Sequence, residues 1–271
     1  MNNTPVSIMG CGWLGLPLAK RLLQLGYVVK GSTTALDKIL QLQELKISPF
    51  LITASPQLSG EDIPAFFQSK ILILNIPFKR SFRDPYYYKQ QIESVIAHIE
   101  LSQVEFVIFT SSTSIYPGSV KNALEDEPIA PDNPRSRVLQ DIEQALLSNQ
   151  NFQATVIRYS GMYGGNRKIG KLLAGRSGLA DGNAPVNLIH LDDCIEIIVR
   201  VIQKNIRDEI FNACSDGHPT REEIYTKSAA HYAFQAPQFN DEQTKFKIVS
   251  NVKLKEKLGY VFRHPDPMIF N

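Results

Sequence analysis

The sequence predicts an α/β fold with a doubly wound parallel sheet, and three observations support this. Short apolar runs alternate with amphipathic stretches over the first half of the chain. The run Ile71–Leu74 contains no polar residue, which is typical of a strand covered by helices on both faces. A glycine-rich turn stands between the first apolar run and a leucine-rich stretch. Strand–helix–strand alternation of this kind calls for parallel strands joined by crossover helices.

The elements of the first half follow from residue periodicity. Apolar runs predict strands at 6–9, 27–29, 47–52, 71–76 and 104–109. The first helix carries a stripe of leucines and ends at Gly26, where glycine permits the closing turn; the stripe consists of Leu14, Leu18, Leu22 and Leu25. Another helix begins at Asp84-Pro85, because an acid can cap a helix and proline fits its first turn.

The second half is less regular. Residues 116–134 form a proline-punctuated stretch, which is long for a connection and indicates a functional loop or a lid. Beyond it, a strand is predicted at 154–158 and helices at 136–147, 192–203, 222–231 and 252–258. We therefore expect a dinucleotide-binding domain over 1–160, to which 185–212 contribute. Residues 161–271 form mainly a small, partly interleaved substrate lobe.

Composition excludes several classes of protein. The 271 residues carry a formal net charge of only +2, so no large basic surface predicts a nucleic-acid or membrane partner. No apolar run approaches the roughly 18 residues of a membrane span, and no secretory leader precedes the glycine turn. The three cysteines are far apart and lack the pattern of a zinc site or a disulfide scaffold. A cytoplasmic protein with a small-molecule ligand is the expectation.

The glycine turn predicts a Rossmann-type dinucleotide site. Gly10, Gly12 and Gly15 have the Gly-x-Gly-x-x-Gly spacing, directly after a strand and at the start of a helix. In this motif the first glycine permits a tight turn, the second lets the backbone approach the pyrophosphate, and the third allows close packing of helix on strand. Free N–H groups at the helix start then face the anion. Trp13 and Leu14, inside the motif, are predicted cofactor contacts as well.

The end of the second strand favours NADP over NAD. An acidic residue usually binds the ribose diol about 20 residues beyond the glycines, but the first carboxylate of this chain is Asp37. The strand instead ends in Ser32, Thr33 and Thr34, followed by Lys38. Hydroxyls and a cation suit a 2′-phosphate. The alternative is that one of the threonines only caps the next helix. We also expect the cofactor to lie beside Asn75, Ile76 and Pro77, because ligands bind at the carboxyl ends of the strands.

Several motifs then occur in the order of one known superfamily. They are Phe109–Tyr116 after the fifth strand, the acidic loop around Glu125-Asp126-Glu127-Pro128, Val156–Gly164, Ile189-His190-Leu191-Asp192-Asp193, and the tail from Val249 to Tyr260. The chain resembles the extended short-chain dehydrogenases/reductases, which include nucleotide-sugar epimerases and dehydratases. The resemblance covers almost the whole chain. It implies further cofactor contacts, at Thr110, Ser111, Arg158, Tyr159 and Ser160.

The catalytic residues of that superfamily are only partly present. Ser112 matches its serine, which hydrogen-bonds the reacting oxygen. Aligned on Glu143, the next helix has Arg135 at the tyrosine and Leu139 at the lysine of the Tyr-x-x-x-Lys pair, and neither can replace it. Tyr116 and Tyr163 are the candidate replacements for the proton donor. Packing with a hydroxyl at the surface is the alternative for both.

Cations near the predicted site indicate where an anionic substrate binds. The candidate substrate residues are Arg80, Arg83, Arg167 and His190, and Lys168 and Arg158 are further cations of the same region. His190 titrates near neutrality, although such a histidine often only holds loops together. Asp192 is expected to cap its helix. No metal site is predicted, because the five histidines are scattered without a partner at ligand spacing.

Two hypotheses about function follow. The first is an NAD(P)-dependent oxidoreductase or epimerase/dehydratase that acts on a nucleotide sugar or another polar small molecule. The second is a protein that binds NADP(H), has lost catalysis, and reports the cofactor ratio to a partner. An unrelated reductase with an all-helical substrate domain is a third possibility, but the strand-rich second half argues against it. A monomer or a homodimer is expected; the resemblance implies dimers formed through a four-helix bundle.

Overall fold

The computed structural model describes residues 4–79, 84–118, 120–242 and 246–270. Within these ranges the strands are β1 (Pro5–Met9), β2 (Val28–Thr33), β3 (Ser48–Ala54), β4 (Leu58–Gly60), β5 (Ile71–Leu74), β6 (Phe106–Ser112), β7 (Asn122–Ala123), β8 (Gln153–Tyr159), β9 (Gly161–Tyr163), β10 (Leu188–His190), β11 (Glu209–Ala213) and β12 (Ile248–Val249). The helices are α1 (Gly15–Gln24), α2 (Lys38–Glu44), α3 (Ile63–Phe67), α4 (Tyr86–Glu100), α5 (Pro134–Leu147), α6 (Leu191–Lys204), α7 (Arg221–His231) and α8 (Val252–Leu258).

The central sheet confirms the predicted doubly wound α/β fold. Across the described residues it has eight strands in the order β11-β8-β6-β5-β1-β2-β3-β4. The pairs β1–β2, β1–β5, β2–β3 and β5–β6 are parallel, whereas β4 is an antiparallel edge strand. The chain runs outward from β1 through β2 and β3, and in the other direction through β5 and β6. The switch point, where such folds bind their ligands, therefore lies between β1 and β5.

Burial explains why these segments form a layered core. Leu72, Ile73 and Leu74 of β5 are fully buried, as expected for a strand covered on both faces. Helix α1 buries Leu18 and Leu22 against the sheet. Helix α4 begins where the Asp84 carboxylate accepts the backbone N–H of Tyr86 at 2.9 Å, and it buries a face that consists of Tyr88, Ile92, Val95 and Ile99.

The chain divides into two compact units. The first unit consists of 1–111, 132–157 and 201–210, and the second consists of 112–131, 158–200 and 211–271. Inside the second unit β9 pairs with β10 and β7 with β12. A small core lies beside them, formed by Tyr163, Ile169, Leu188 and Ile224, with Met268 and Phe270 packed against it. The domain boundary predicted at residue 160 stays a prediction, because compactness alone does not show which segments fold independently.

The part of the proline-punctuated stretch up to Pro131 belongs to the second unit and is held there by several bonds. Its strand β7 pairs with β12. The Glu125 carboxylate accepts the backbone N–H of Asn212 at 2.7 Å, and the Lys247 ammonium donates to the carbonyl of Tyr116 at 2.6 Å. Burial raises the pKa of Glu125. These contacts anchor the stretch, so its described residues are not arranged as a free lid.

In the described part of the chain, no helix is both long enough and apolar enough to cross a membrane.

Candidate functional site

The glycine turn has the geometry that its spacing predicts. Gly10 has a φ of +106°, and a Cβ there would lie 2.6 Å from the carbonyl oxygen of Asn75. A Cβ at Gly15 would lie 2.1 Å from the carbonyl oxygen of Gly10. Both positions therefore need glycine for steric reasons. Gly12 is exposed, and a Cβ there would meet no described atom within 4 Å. Open space above Gly12 at the start of α1 is what a pyrophosphate group requires.

Hydrogen bonds join the strand ends at the switch point. The Asn75 side-chain amide donates to the carbonyl of Gly10 at 3.0 Å, and the Thr110 hydroxyl donates to the amide oxygen of Asn75 at 3.1 Å. From the other side, the backbone N–H of Gly10 donates to the hydroxyl oxygen of Ser32 at 3.0 Å. Four strands, β1, β2, β5 and β6, are thus linked at their carboxyl ends. Such links preorganise the turn before a ligand binds.

The four residues predicted to contact a 2′-phosphate divide into two pairs. Ser32 is buried and its hydroxyl accepts the Gly10 N–H, so this side chain stabilises the glycine turn. The Thr33 hydroxyl accepts the N–H of Ala35 at 3.1 Å in a local turn ahead of α2. Thr34 and Lys38 are exposed. Only these last two side chains of the predicted set face solvent.

The segment after β5 is held by a stack of three side chains. The Arg135 guanidinium lies 3.8 Å from the ring centre of Phe78, and that ring stacks on Tyr88 at 4.3 Å. Arg135 also donates to the carbonyls of Phe78 and Lys79, and the Tyr88 hydroxyl donates to the carbonyl of Ile76. Pro77, which lies between Ile76 and Phe78 in the chain, is exposed. Arg135 therefore positions this segment.

Two of the predicted substrate cations, Arg80 and Arg83, lie outside the described residues.

Helix α5 has no group that can exchange a proton in the way a tyrosine–lysine pair does. Its fourteen residues include neither tyrosine nor lysine. Leu139 is buried in the core. Glu143 is buried as well, and its carboxylate accepts the Ser111 hydroxyl at 2.5 Å. The side chain of Ser111, a predicted cofactor contact, is thus bonded to α5.

In the second unit, Tyr116 is part of a buried hydrogen-bonded network. Its hydroxyl accepts from the Arg158 guanidinium at 2.6 Å and donates to the side-chain oxygen of Asn212 at 2.9 Å. Burial raises the pKa of Tyr116, and the positive charge of Arg158 partly opposes this. The Ser112 hydroxyl oxygen accepts the Ser114 N–H at 3.1 Å, and its own proton can still be donated. Tyr116 thus has a structural use for its hydroxyl.

Three further predicted cofactor contacts are buried in the second unit. Arg158, Tyr159 and Ser160 are each at most 5% exposed. The Tyr159 hydroxyl donates to the carbonyl of Cys194 at 2.9 Å, and burial raises its pKa. The side chains of Arg158 and Tyr159 have partners inside the unit. Their contact with a cofactor stays a prediction.

The second unit contains a cavity of about 370 Å³. Tyr163 lines it, is 6% exposed, and its hydroxyl has no hydrogen-bond partner among the described residues. Burial, and then the negative charge of Asp193, raise the pKa of Tyr163. Arg167 and Lys168 are on the same wall, and the Lys168 ammonium lies 4.5 Å from the ring centre of Tyr232. Buried hydroxyls normally have a hydrogen-bond partner, so Tyr163 is an exception, and it shares the cavity lining with two cations.

His190, Asp192 and His264 meet at the wall of this cavity. The Asp192 carboxylate lies 3.4 Å from Nδ1 of His190 and 3.1 Å from Nε2 of His264. Burial, and then the neighbouring His264, lower the pKa of His190. The sequence predicts no metal site, because the five histidines are scattered without a partner at ligand spacing, yet the fold brings His264 to Asp192 across 72 residues. Instead of a simple helix cap, Asp192 provides a carboxylate between two imidazoles.

Comparisons with known proteins agree with the fold. The model of the NAD dependent epimerase/dehydratase family matches residues 79–214. Protein YeeZ of Escherichia coli K12 is 31% identical over 268 residues, which cover 97% of each chain.

Two solved structures show the same fold. The UDP-Glc/GlcNAc 4-epimerase of Campylobacter jejuni has a TM-score of 0.79 at 16% identity, with 98% of this chain and 96% of that chain covered. The UDP-glucuronic acid 4-epimerase of Bacillus cereus, in complex with UDP-glucuronic acid and NAD, has a TM-score of 0.74 at 18% identity, with 95% and 93% covered. By the family match and the full-length similarity, this chain belongs to the NAD dependent epimerase/dehydratase family.

Proposed function

We propose that this protein is an NAD(P)-dependent enzyme of the epimerase/dehydratase or oxidoreductase type, acting on a nucleotide-sugar-like or other polar small molecule. The observation that carries the proposal is Tyr163, which lines a cavity together with Arg167 and Lys168 and whose buried hydroxyl has no partner among the described residues. The family match supports a nicotinamide cofactor. Relatives of the same fold are named as 4-epimerases of UDP sugars, which supports an anionic sugar nucleotide as substrate.

The cofactor site of the proposal lies in the first unit. Backbone groups of the turn at Gly10, Gly12 and Gly15 hold the pyrophosphate, and Asn75 and Thr110 keep that turn in place. When bound, a nicotinamide cofactor accepts and returns hydride. The residues of this chain supply orientation and proton exchange.

NADP is the preferred form of the cofactor in this proposal. Thr34 and Lys38 are the exposed hydroxyl and cation at the end of β2. An exposed ion pair contributes up to about 1 kcal/mol, so Lys38→Ala is expected to weaken NADPH binding about 5-fold and to leave NADH binding unchanged. Calorimetry measures both constants, with Lys20→Ala, another exposed lysine, as control. Tighter binding of NADH than of NADPH by the wild type contradicts the preference.

Tyr163 is the proposed proton donor in place of the tyrosine absent from α5. Like any tyrosine, Tyr163 is protonated at neutral pH, and burial raises its pKa further, so its role toward a substrate oxygen is that of a hydrogen-bond and proton donor, not of a base. Ser112 is the proposed hydrogen-bond donor to the reacting oxygen. Tyr116 stays the second candidate donor, but its hydroxyl already donates to Asn212. Arg167 and Lys168 attract the negative groups of the substrate.

The test is turnover of a panel of nucleotide sugars, followed at the nicotinamide absorbance band and by product analysis. Loss of a general acid typically costs about 10² to 10⁴ in rate, so Tyr163→Phe is expected to lower kcat by that factor. Ser112→Ala is expected to lower it also. Tyr86→Phe, the same change on an exposed tyrosine, is the matched control and is expected to have no effect. Full activity of Tyr163→Phe contradicts this role.

The absence of tyrosine and lysine from α5 favours a second candidate, a cofactor-sensing binding protein. Such a protein binds NADPH without turnover and changes its affinity for a partner when the cofactor binds. The sensor is supported if the wild type binds NADPH, turns over no substrate of the panel, and retains a partner protein only when NADPH is present. Turnover of any substrate that depends on Ser112 or Tyr163 supports the enzyme.

A further inference from the structure

We propose that His190, Asp192 and His264 form a binding site for a divalent transition-metal ion, such as Zn²⁺, on the wall of the cavity in the second unit. The proposal concerns only this cluster. It requires neither the proposed enzymatic activity nor a bound dinucleotide.

The ligand atoms of the three residues are spaced as the ligands of one metal ion are. Oδ2 of Asp192 lies 3.4 Å from Nδ1 of His190 and 3.1 Å from Nε2 of His264. The three atoms all lie within 4.8 Å of one another. Zinc bonds to nitrogen and carboxylate oxygen are about 2.0 to 2.2 Å long, so two ligands of a tetrahedral ion are roughly 3.3 Å apart. The distances between these atoms are therefore close to those of ligands around one ion, and the two imidazole rings, whose centres are 3.7 Å apart at an angle of 34°, must turn so that both lone pairs point at it.

The three side chains also have the chemistry of transition-metal ligands. Two imidazoles and one carboxylate form the donor set that Zn²⁺ and neighbouring divalent ions use when a coordination position stays open. All three residues line the cavity. The open position is thus available to water or to an anionic oxygen of a small molecule. Arg167 and Lys168 on the same wall favour the anion.

Groups around the cluster hold its ligand residues in place. Asp193 is fully buried, and its carboxylate accepts the Tyr260 hydroxyl and the backbone N–H groups of Arg263 and His264, at 2.7, 2.7 and 3.1 Å. These bonds fix the backbone that carries His264. Support of this kind around the ligands is typical of metal sites. Of two adjacent aspartates, Asp192 then binds the ion and Asp193 organises the turn.

The surroundings of His190 leave its Nδ1 atom, the proposed metal ligand, accessible. Nδ1 of His190 accepts the backbone N–H of Asp192 at 3.2 Å, so this nitrogen presents its lone pair. A metal ion that takes the lone pair replaces one long hydrogen bond. The side chains of His190, His264 and Asp192 are 17, 19 and 48% exposed, which allows an ion to enter from solvent.

The experiment is a titration of the full-length, metal-free protein with Co²⁺, followed by its visible absorption, and then displacement by Zn²⁺ measured by calorimetry. We expect one ion per chain and the strong visible band of a low-coordinate site. His264→Gln and Asp192→Asn are each expected to weaken binding at least about 10-fold, and the band is expected to disappear. His231→Gln, which changes an exposed histidine outside the cluster, is the control and is expected to bind as the wild type does.

Three outcomes overturn the proposal: no saturable binding, binding with the weak spectrum of hydrated Co²⁺, or equal affinity in the cluster variants and the wild type. Circular dichroism and thermal melting show whether each variant is folded, and Asp192→Asn keeps the shape of the side chain. NADPH affinity is measured on the same samples. Intact cofactor binding with no metal site refutes only this inference, and a metal site with no cofactor binding refutes only the proposed function.

Discussion

A methyl group at position 12 tests the cofactor site directly. Gly12 is exposed, and a Cβ added there would meet no described atom within 4 Å. The variant Gly12→Ala should therefore fold normally. Its methyl group would occupy the space through which a pyrophosphate approaches the backbone at the start of α1.

The magnitude follows from what the ligand would lose. A hydrogen bond between a backbone N–H and a charged group contributes about 1.5 to 3 kcal/mol. Loss of one such bond weakens binding about 10- to 100-fold. Stability should change by less than about 1 kcal/mol, because Gly→Ala at an unstrained, open position acts mainly on the unfolded chain.

Calorimetry with NADPH and NADH measures the affinity, and urea unfolding without ligand measures the stability. Gly15→Ala provides the contrast, because its Cβ would lie 2.1 Å from the carbonyl oxygen of Gly10. Overpacking of this kind costs about 1 to 3 kcal/mol or more, so Gly15→Ala should lose stability as well as affinity. Unchanged affinity in Gly12→Ala refutes the assignment of the pyrophosphate to this turn. Equal loss of stability in both variants refutes the steric reasoning.

Three other predictions concern buried groups of the second unit and the thiols. Tyr116→Phe removes a hydroxyl from a buried network, so the free energy of unfolding should fall by about 1 to 3 kcal/mol in urea titrations; a change near zero contradicts the network. Burial lowers the pKa of His218, so the folded protein should lose stability as the pH falls below the ordinary histidine pKa of about 6.5. His218→Gln should reduce this loss, and stability–pH profiles that run parallel in the two proteins contradict the effect. Burial raises the pKa of Cys11 and Cys214 to about 12 and also raises that of Cys194, so an aromatic disulfide reagent should modify these thiols only after unfolding; rapid modification of the native protein contradicts their burial.

Local patterns were sufficient for the elements with strong periodicity. The unbroken apolar run of β5 and the leucine stripe of α1 were predicted from spacing, because a strand or helix buries a face whose period is set by its own backbone. The short strands β4, β7, β9 and β10 were not predicted. Segments of two or three residues are too short to show a period, and they form because a partner strand is nearby.

Side-chain roles at the site were harder to predict than the elements. Ser32 was expected to contact a 2′-phosphate, yet its hydroxyl accepts the Gly10 N–H. Tyr116 and Tyr163 were equivalent candidates in the sequence. In the structure Tyr116 is bonded to Arg158 and Asn212, whereas Tyr163 lines a cavity and its buried hydroxyl has no described partner. Which partners a side chain reaches depends on elements far away along the chain.

The sequence by itself determined the doubly wound sheet and the glycine turn, because these depend on residue spacing and on backbone freedom within a few residues, and the family was indicated by the resemblance of its motifs. Only the tertiary structure decided which tyrosine faces the cavity and that His264 meets His190 and Asp192. The physical reason is that hydrogen bonding and metal coordination act over about 2 to 3 Å in space. Residues 72 positions apart in the chain come that close only after the whole second unit has folded.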